Sequence, residues 1–119
     1  MRAVSSSAQS KPRNEAEERA AGWYRRRAYR ILETNRWIAG YELDIVARRG
    51  RTVVFCEVKS KMGTGFGDPL EMVTPEKVRR IRRSAEAWLA SNPAYLGWAV
   101  RFDVVAIRGA ELECLRNAF

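Results

Sequence analysis

Two apolar runs meeting at one glycine narrow the fold more than any other feature: GYELDIVARR at 40–49, then Gly50, then RTVVFCEVKSK at 51–61. Both runs are rich in β-branched and aromatic residues, and a glycine between such runs is a β-hairpin pattern. Glu57 and Lys59 lie two apart, so in a strand they leave the same face while Val58 points the other way. Charges on a largely apolar strand are costly unless they are paired or used. If Gly50 and Arg51 are the central turn residues, glycine first as a type II′ turn prefers, Asp44 sits directly opposite Glu57. If Arg49 and Gly50 are central, Asp44 faces Phe55 and Glu57 is its diagonal neighbour on the same face. Both registers bring the carboxylates together; a three-residue loop would separate them onto opposite faces.

The remaining segments surround this hairpin with helices. From Asn14, NEAEERAAGWYRRR predicts a helix with Asn14 as N-cap and Ala20, Ala21 and Tyr24 as an inward stripe, on which Glu17 also falls. AYRILE is a first strand. KMGTGFGDPLEMV is a loop that lacks the Lys-Ser/Thr ending of a phosphate-binding P-loop. Thr74 and Pro75 open a long helix, TPEKVRRIRRSAEAWLA, with Val78, Ile81, Ala85, Trp88 and Leu89 as its apolar face; Asn92 and Pro93 stop it. WAVRFDVVAIR and the short ELECLR, divided at Gly109, complete the order αβββαββ, an α/β fold with a mixed β-sheet flanked by helices. The 119 residues are enough for one core. Residues 14–119 are therefore expected to form a single domain after a disordered tail at 1–13.

Charge points to the partner. The chain carries 22 Lys plus Arg against 14 Asp plus Glu, a formal charge of +8, which favours a polyanion and nucleic acid first. Lys77, Arg79, Arg80, Arg82 and Arg83 crowd two turns of the second helix. Such a face is either simply solvated or neutralised by phosphates. Arg25, Arg26, Arg27 and Arg30 form a second cluster, and Lys61 and Phe66 on the glycine loop are placed to touch a strand or base. No run approaches the roughly 20 apolar residues of a membrane span, and the N-terminus lacks a secretory apolar stretch. A soluble cytoplasmic chain without membrane contact is expected. Cys56 and Cys114 form no CxxC and read as packing thiols, with no disulfide. The four tryptophans read as core or half-buried.

The chain contains no histidine. Imidazole acid/base chemistry, Ser-His and Cys-His pairs and imidazole zinc sites are thereby excluded, leaving carboxylates and lysines. Two adjacent carboxylates repel unless a cation joins them. Mg²⁺ is held by one or two carboxylates with water and phosphate oxygens, which Asp44 and Glu57 can supply. Lys59 beside it can orient or deprotonate a water or stabilise developing phosphoryl charge. The plainer readings are an edge-strand ion pair for Glu57 and Lys59 and a capping box with Asn14 for Glu17; Glu42, on the face of Asp44, is either a further ligand or a salt-bridge partner.

Asp44 followed by Glu57-Val58-Lys59 resembles the D-(x)n-E-x-K signature of the PD-(D/E)xK nuclease superfamily. More specifically, GYELDIVARRGRTVVFCEVKSK, FGDPLEMVTPEK, AWLA and RFDVVAI resemble the YraN-like family of small bacterial endonuclease-like proteins, distant relatives of archaeal Holliday junction resolvases. The resemblance runs from about Glu17 to Ile107. It implies a restriction-endonuclease-like fold, metal ligation by Asp44 and Glu57 with Glu17 from the first helix, and Lys59 as catalytic lysine. It also implies Mg²⁺ or Mn²⁺ as cofactor, DNA, including branched recombination intermediates, as substrate, and a homodimer where paired nicks are made. Tyr41 and Ala16 stand where the family often has glycine, and Ser60-Lys61 replaces a Thr-Arg pair. Two other functions compete: a nucleic-acid-binding protein on a nuclease scaffold without cleavage, and an interaction module for DNA-uptake or repair machinery.

Overall fold

The alanines of the first helix decide how closely it docks. The computed structural model describes residues 15–61 and 73–119, except the side chain of Lys61. The expected N-terminal tail, the Asn14 cap and the glycine loop with Phe66 lie outside the described residues. Helix α1, Glu15–Arg26, buries Ala16, Ala20, Ala21 and Tyr24. Small side chains let the helix lie close to the sheet, where Ile45, Ala47, Val54, Cys56, Val105 and Ile107 form the other half of this layer.

Strands β1, Arg30–Ile38, β2, Tyr41–Arg49, and β3, Thr52–Lys61, form an antiparallel meander. Helix α2, Pro75–Ala90, follows, then a 3₁₀ turn at Pro93–Tyr95 and strands β4, Ala99–Arg108, and β5, Glu111–Leu115. The sheet order is β1-β2-β3-β4-β5, with β3 and β4 parallel and the other pairs antiparallel. The single parallel pair follows from α2, because a crossover connection is what returns the chain in the same direction. Thr74 caps α2 by accepting the Lys77 N–H at 3.2 Å, and Pro75 occupies its first turn. Its apolar face, Ile81, Ala85 and Trp88, covers Leu43, Val46, Val53, Phe55 and Phe102 on the second sheet face. A five-stranded mixed sheet with one helix layer on each face is the expected restriction-endonuclease-like fold.

Two departures from the sequence expectation bear on the site. β1 continues through Thr34, Asn35 and Arg36 to Ile38, well beyond Glu33. Those polar residues carry no apolar alternation, since β1 is a sheet edge and its ladder to β2 needs none. Trp37 is 60% exposed, whereas the other three tryptophans are buried or half-buried as expected. Cys56 and Cys114 are free thiols, the first buried.

Behind the α1 layer lies a buried polar knot that the apolar pattern of β4 concealed. Asp103 has no exposed surface. It accepts from the Tyr24 hydroxyl at 2.7 Å, from Arg101 Nε and Nη2 at 2.9 Å each, and from the Asn117 N–H at 3.0 Å. Burial, then the nearby Cys56 and Asp103 groups, push the Tyr24 phenol far above its ordinary range, so it stays a donor. A fully buried carboxylate is tolerable here because every lobe of its charge meets a donor.

Candidate active site

The site begins with the hairpin register. Arg49 pairs with Thr52 and Ile45 with Cys56, which makes Gly50 and Arg51 the central turn residues. Gly50 has φ +60°, the left-handed value that the first position of a type II′ turn requires. Of the two registers open to the sequence, the chain takes the one with Gly50 and Arg51 central, and its paired ladder ends at Ile45–Cys56, one position short of Asp44 and Glu57. Beyond Ile45–Cys56 the side chain takes over from the backbone: Asp44 Oδ2 accepts the Val58 N–H at 2.9 Å.

The β1 strand opens at the same level. Asn35 adopts φ +52° within the strand and is buried. Leu43 and Val46 both pack toward α2 although strict alternation would oppose them, while Ile45 packs toward α1. The pleat therefore slips at Asp44, opposite the irregular Asn35. Asn35 Nδ2 donates to Glu17 Oε1 at 2.7 Å and holds the helix carboxylate toward the sheet. Nothing in the sequence singled out Asn35; its left-handed backbone is the kind of conformation asparagine tolerates, and only the fold reveals it.

Glu17, Glu42, Asp44 and Glu57 line one groove of about 280 Å³, with Lys59, Tyr41 and Trp37 at its other walls. Glu57 is 6% exposed, and its Oε2 gathers three groups: Lys59 Nζ at 3.2 Å, the Tyr41 hydroxyl at 3.3 Å and Lys77 Nζ at 4.0 Å. Tyr41 packs with the α2 layer and donates to Glu57. It is a positioning residue for that carboxylate rather than a ring offered to substrate.

Burial and then repulsion from Glu57 push the Asp44 carboxyl up to about 8, against the opposing Val58 N–H. Burial works against the Lys59 charge, but the Glu57 carboxylate outweighs that and raises it; burial and the neighbouring Lys59 lower Lys77. The two amines thus share one carboxylate oxygen. Among the described residues no three carboxylate, cysteine or histidine side chains converge into a closed metal cage. The donor set still fits a hard divalent cation, which takes one or two carboxylates and completes its shell with water and phosphate oxygens. Asp44 and Glu57 are the pair that could hold it. Glu17 reaches the groove wall but does not complete a triad.

The basic residues divide. Lys77 reaches Glu57 Oε2 at 4.0 Å from beside the groove. Arg80 pairs with Glu76, one turn back, at 2.6 Å, so neither solvent nor phosphate alone balances this face. Arg82 lies over Phe102, 4.8 Å from its centroid. Arg79 and Arg83, one turn apart, are exposed. In the other cluster Arg25, Arg26 and Arg30 are exposed and Arg27 stacks 3.9 Å over Trp23. Lys61 ends β3 opposite Arg108; its expected strand-touching side chain is outside the described residues.

A family profile described as "Uncharacterised protein family UPF0102" matches residues 16–107. The chain belongs to the UPF0102 family. A UPF0102 protein of Acidothermus cellulolyticus is 46% identical over 117 residues, covering 87% of this chain and 89% of its own. One from Geobacter sulfurreducens is 43% identical over 108 residues, covering 87% and 84%, and one from Persephonella marina is 38% identical over 105 residues, covering 88% and 90%. Membership of UPF0102 bears out the YraN-like resemblance, and the matched span contains every groove carboxylate together with Lys59 and Lys77. Among the described residues of this UPF0102 protein no helix is long and apolar enough to cross a membrane.

Proposed function

We propose that this protein is a metal-dependent endonuclease that hydrolyses phosphodiester bonds in DNA, with branched or recombination intermediates among its substrates, acting in the cytoplasm. The observation that carries the reading is the adjacency of Asp44 and Glu57 in one groove with Lys59 at 3.2 Å from Glu57. Hydrolysis forms one P–O bond from water and breaks one P–O ester bond, leaving a phosphate monoester and an alcohol. Mg²⁺ or Mn²⁺, held by Asp44 and Glu57, would supply Lewis-acid polarisation of a phosphoryl oxygen and a more acidic water.

The chain's own groups do the rest. Tyr41 and the Val58 N–H fix the two carboxylates, sparing them reorganisation when substrate arrives. Lys59 stands where it can orient the attacking water and offset charge growing on the phosphoryl oxygens. Lys77 offers a second cation from α2 for a phosphate entering the groove. A homodimer would supply two such grooves for paired nicks.

Lys59 is also closed onto Glu57 as an ion pair, which favours a second reading: a DNA-binding protein on this scaffold that does not cleave. One experiment separates the two. Asp44→Asn and Glu57→Gln should lose Mg²⁺-dependent cleavage of single-stranded, duplex, flap and four-way DNA while keeping gel-shift affinity in EDTA. Lys59→Met should bind metal and DNA yet lose most single-turnover cleavage. A wild-type protein that binds every substrate and yields no metal-dependent product supports the second reading.

A further inference from the structure

Trp37 is the one groove residue that neither fold nor carboxylate chemistry uses. It stands in β1 opposite Glu42, 60% exposed, on the wall of the groove that holds Asp44, Glu57 and Lys59. A single exposed apolar side chain is ordinary in itself; what distinguishes Trp37 is that its ring stands on the wall of a polar groove, where a large aromatic with a polar edge suits a contact. The other tryptophans are occupied: Trp88 stacks with Tyr95, Arg27 covers Trp23, and Trp98 meets Tyr95, Arg48 and Arg51. Trp37 has no ring or cation partner among the described residues. Leu96 and Val100 are the other exposed large apolar side chains described, and neither lines this groove.

The chemistry of the neighbours selects the occupant. Lysines and carboxylates suited to a metal–phosphate contact sit at the groove, so the group presented to its rim is the sugar and base attached to that phosphate. A flat apolar ring there can stack on a base of any identity, as aromatic platforms for single strands do. In continuous duplex both faces of the base are already covered by its neighbours. We propose that Trp37 is the stacking platform for one unpaired nucleobase beside the scissile phosphate, so that the protein selects DNA with an unstacked nucleotide over continuous duplex. This rests on the phosphodiesterase reading of the groove.

The test uses the full chain in EDTA with three labelled oligonucleotides: a single strand, a blunt hairpin duplex, and the same duplex carrying one bulged 2-aminopurine. Trp37→Ala should weaken binding to the single strand and the bulge about tenfold while duplex affinity changes less than about twofold. Trp37→Phe should retain most of the selectivity, and 2-aminopurine fluorescence should be quenched by the wild type and not by Trp37→Ala. Equal loss on all three DNAs, or no loss on any, overturns the platform. Cleavage with Mg²⁺ is scored separately. Selective loss without cleavage by any variant keeps the platform and sinks the nuclease reading, whereas cleavage with unselective binding does the reverse.

Discussion

Asp44 in the metal-free protein is a carboxyl group held against its own chemistry. Its pKa is pushed up to about 8 from an ordinary 3.8, by burial first and by Glu57 second. Between those values the folded protein keeps a proton that the unfolded chain has lost. Stability therefore falls as pH rises through that window, being greatest near its acid end and fully lost from this source above about 8. Thermal melts in EDTA should show the transition temperature dropping between about pH 5 and pH 8, with a shallower drop for Asp44→Asn. Equal slopes for the two proteins would remove Asp44 from the account. Glu57 and Lys59 were legible in the sequence because their spacing alone fixes a strand face, and Asp44 joined them through the two-residue turn at Gly50 and Arg51. Asn35, Tyr41 and Trp37 were not: their parts depend on a left-handed backbone, a hydroxyl reaching across a hairpin, and an exposed edge, none of which leaves a periodic trace.

Elements locate the site by how they are fastened. The order of helices and strands was readable because apolar period changes cleanly from two to 3.6 and back. The sheet order was less so, since the one parallel pairing among the described strands depends on where α2 crosses. Beside its alanine packing, α1 is tied to the sheet by the bond from Tyr24 to the knot around Asp103, an aspartate that the apolar pattern of β4 conceals in the sequence. Asp103→Ala would leave Arg101 and the Tyr24 hydroxyl without their acceptor and should destabilise the protein by about 3–5 kcal/mol, the usual result of removing one member of a buried charge pair. Denaturant unfolding measures this. A loss near that of an exposed ion pair would mean that the knot relaxes onto water.

At the scale of the molecule, a charge of +8 overstates how many cations are available to phosphate. Arg80 is engaged by Glu76, and Arg27, Arg48, Arg49, Arg82 and Arg101 lie over rings. Arg79 and Arg83 share one exposed stripe of α2, whose first turn also brings Lys77 to Glu57. Each neutralised phosphate contributes close to one unit of slope in log affinity against log salt. Arg79→Gln and Arg83→Gln should each reduce that slope by about 1, and Arg80→Gln by distinctly less. An unchanged slope in the Arg79→Gln, Arg83→Gln double variant would assign the stripe to solvent.

The bond from Asp44 to Val58 closes a loop of only 14 residues, whereas that from Tyr24 to Asp103 spans 79. Short closures cost little chain entropy and form early; long ones wait. The hairpin is therefore expected to bring Asp44 and Glu57 together before α2 delivers Lys77 to share the charge. On that order the rate-limiting step is expected to carry the two carboxylates without relief from Lys77. A divalent cation bound at the hairpin should then accelerate refolding, visible in stopped-flow traces as a faster folding limb. Asp103→Ala should act chiefly by speeding unfolding.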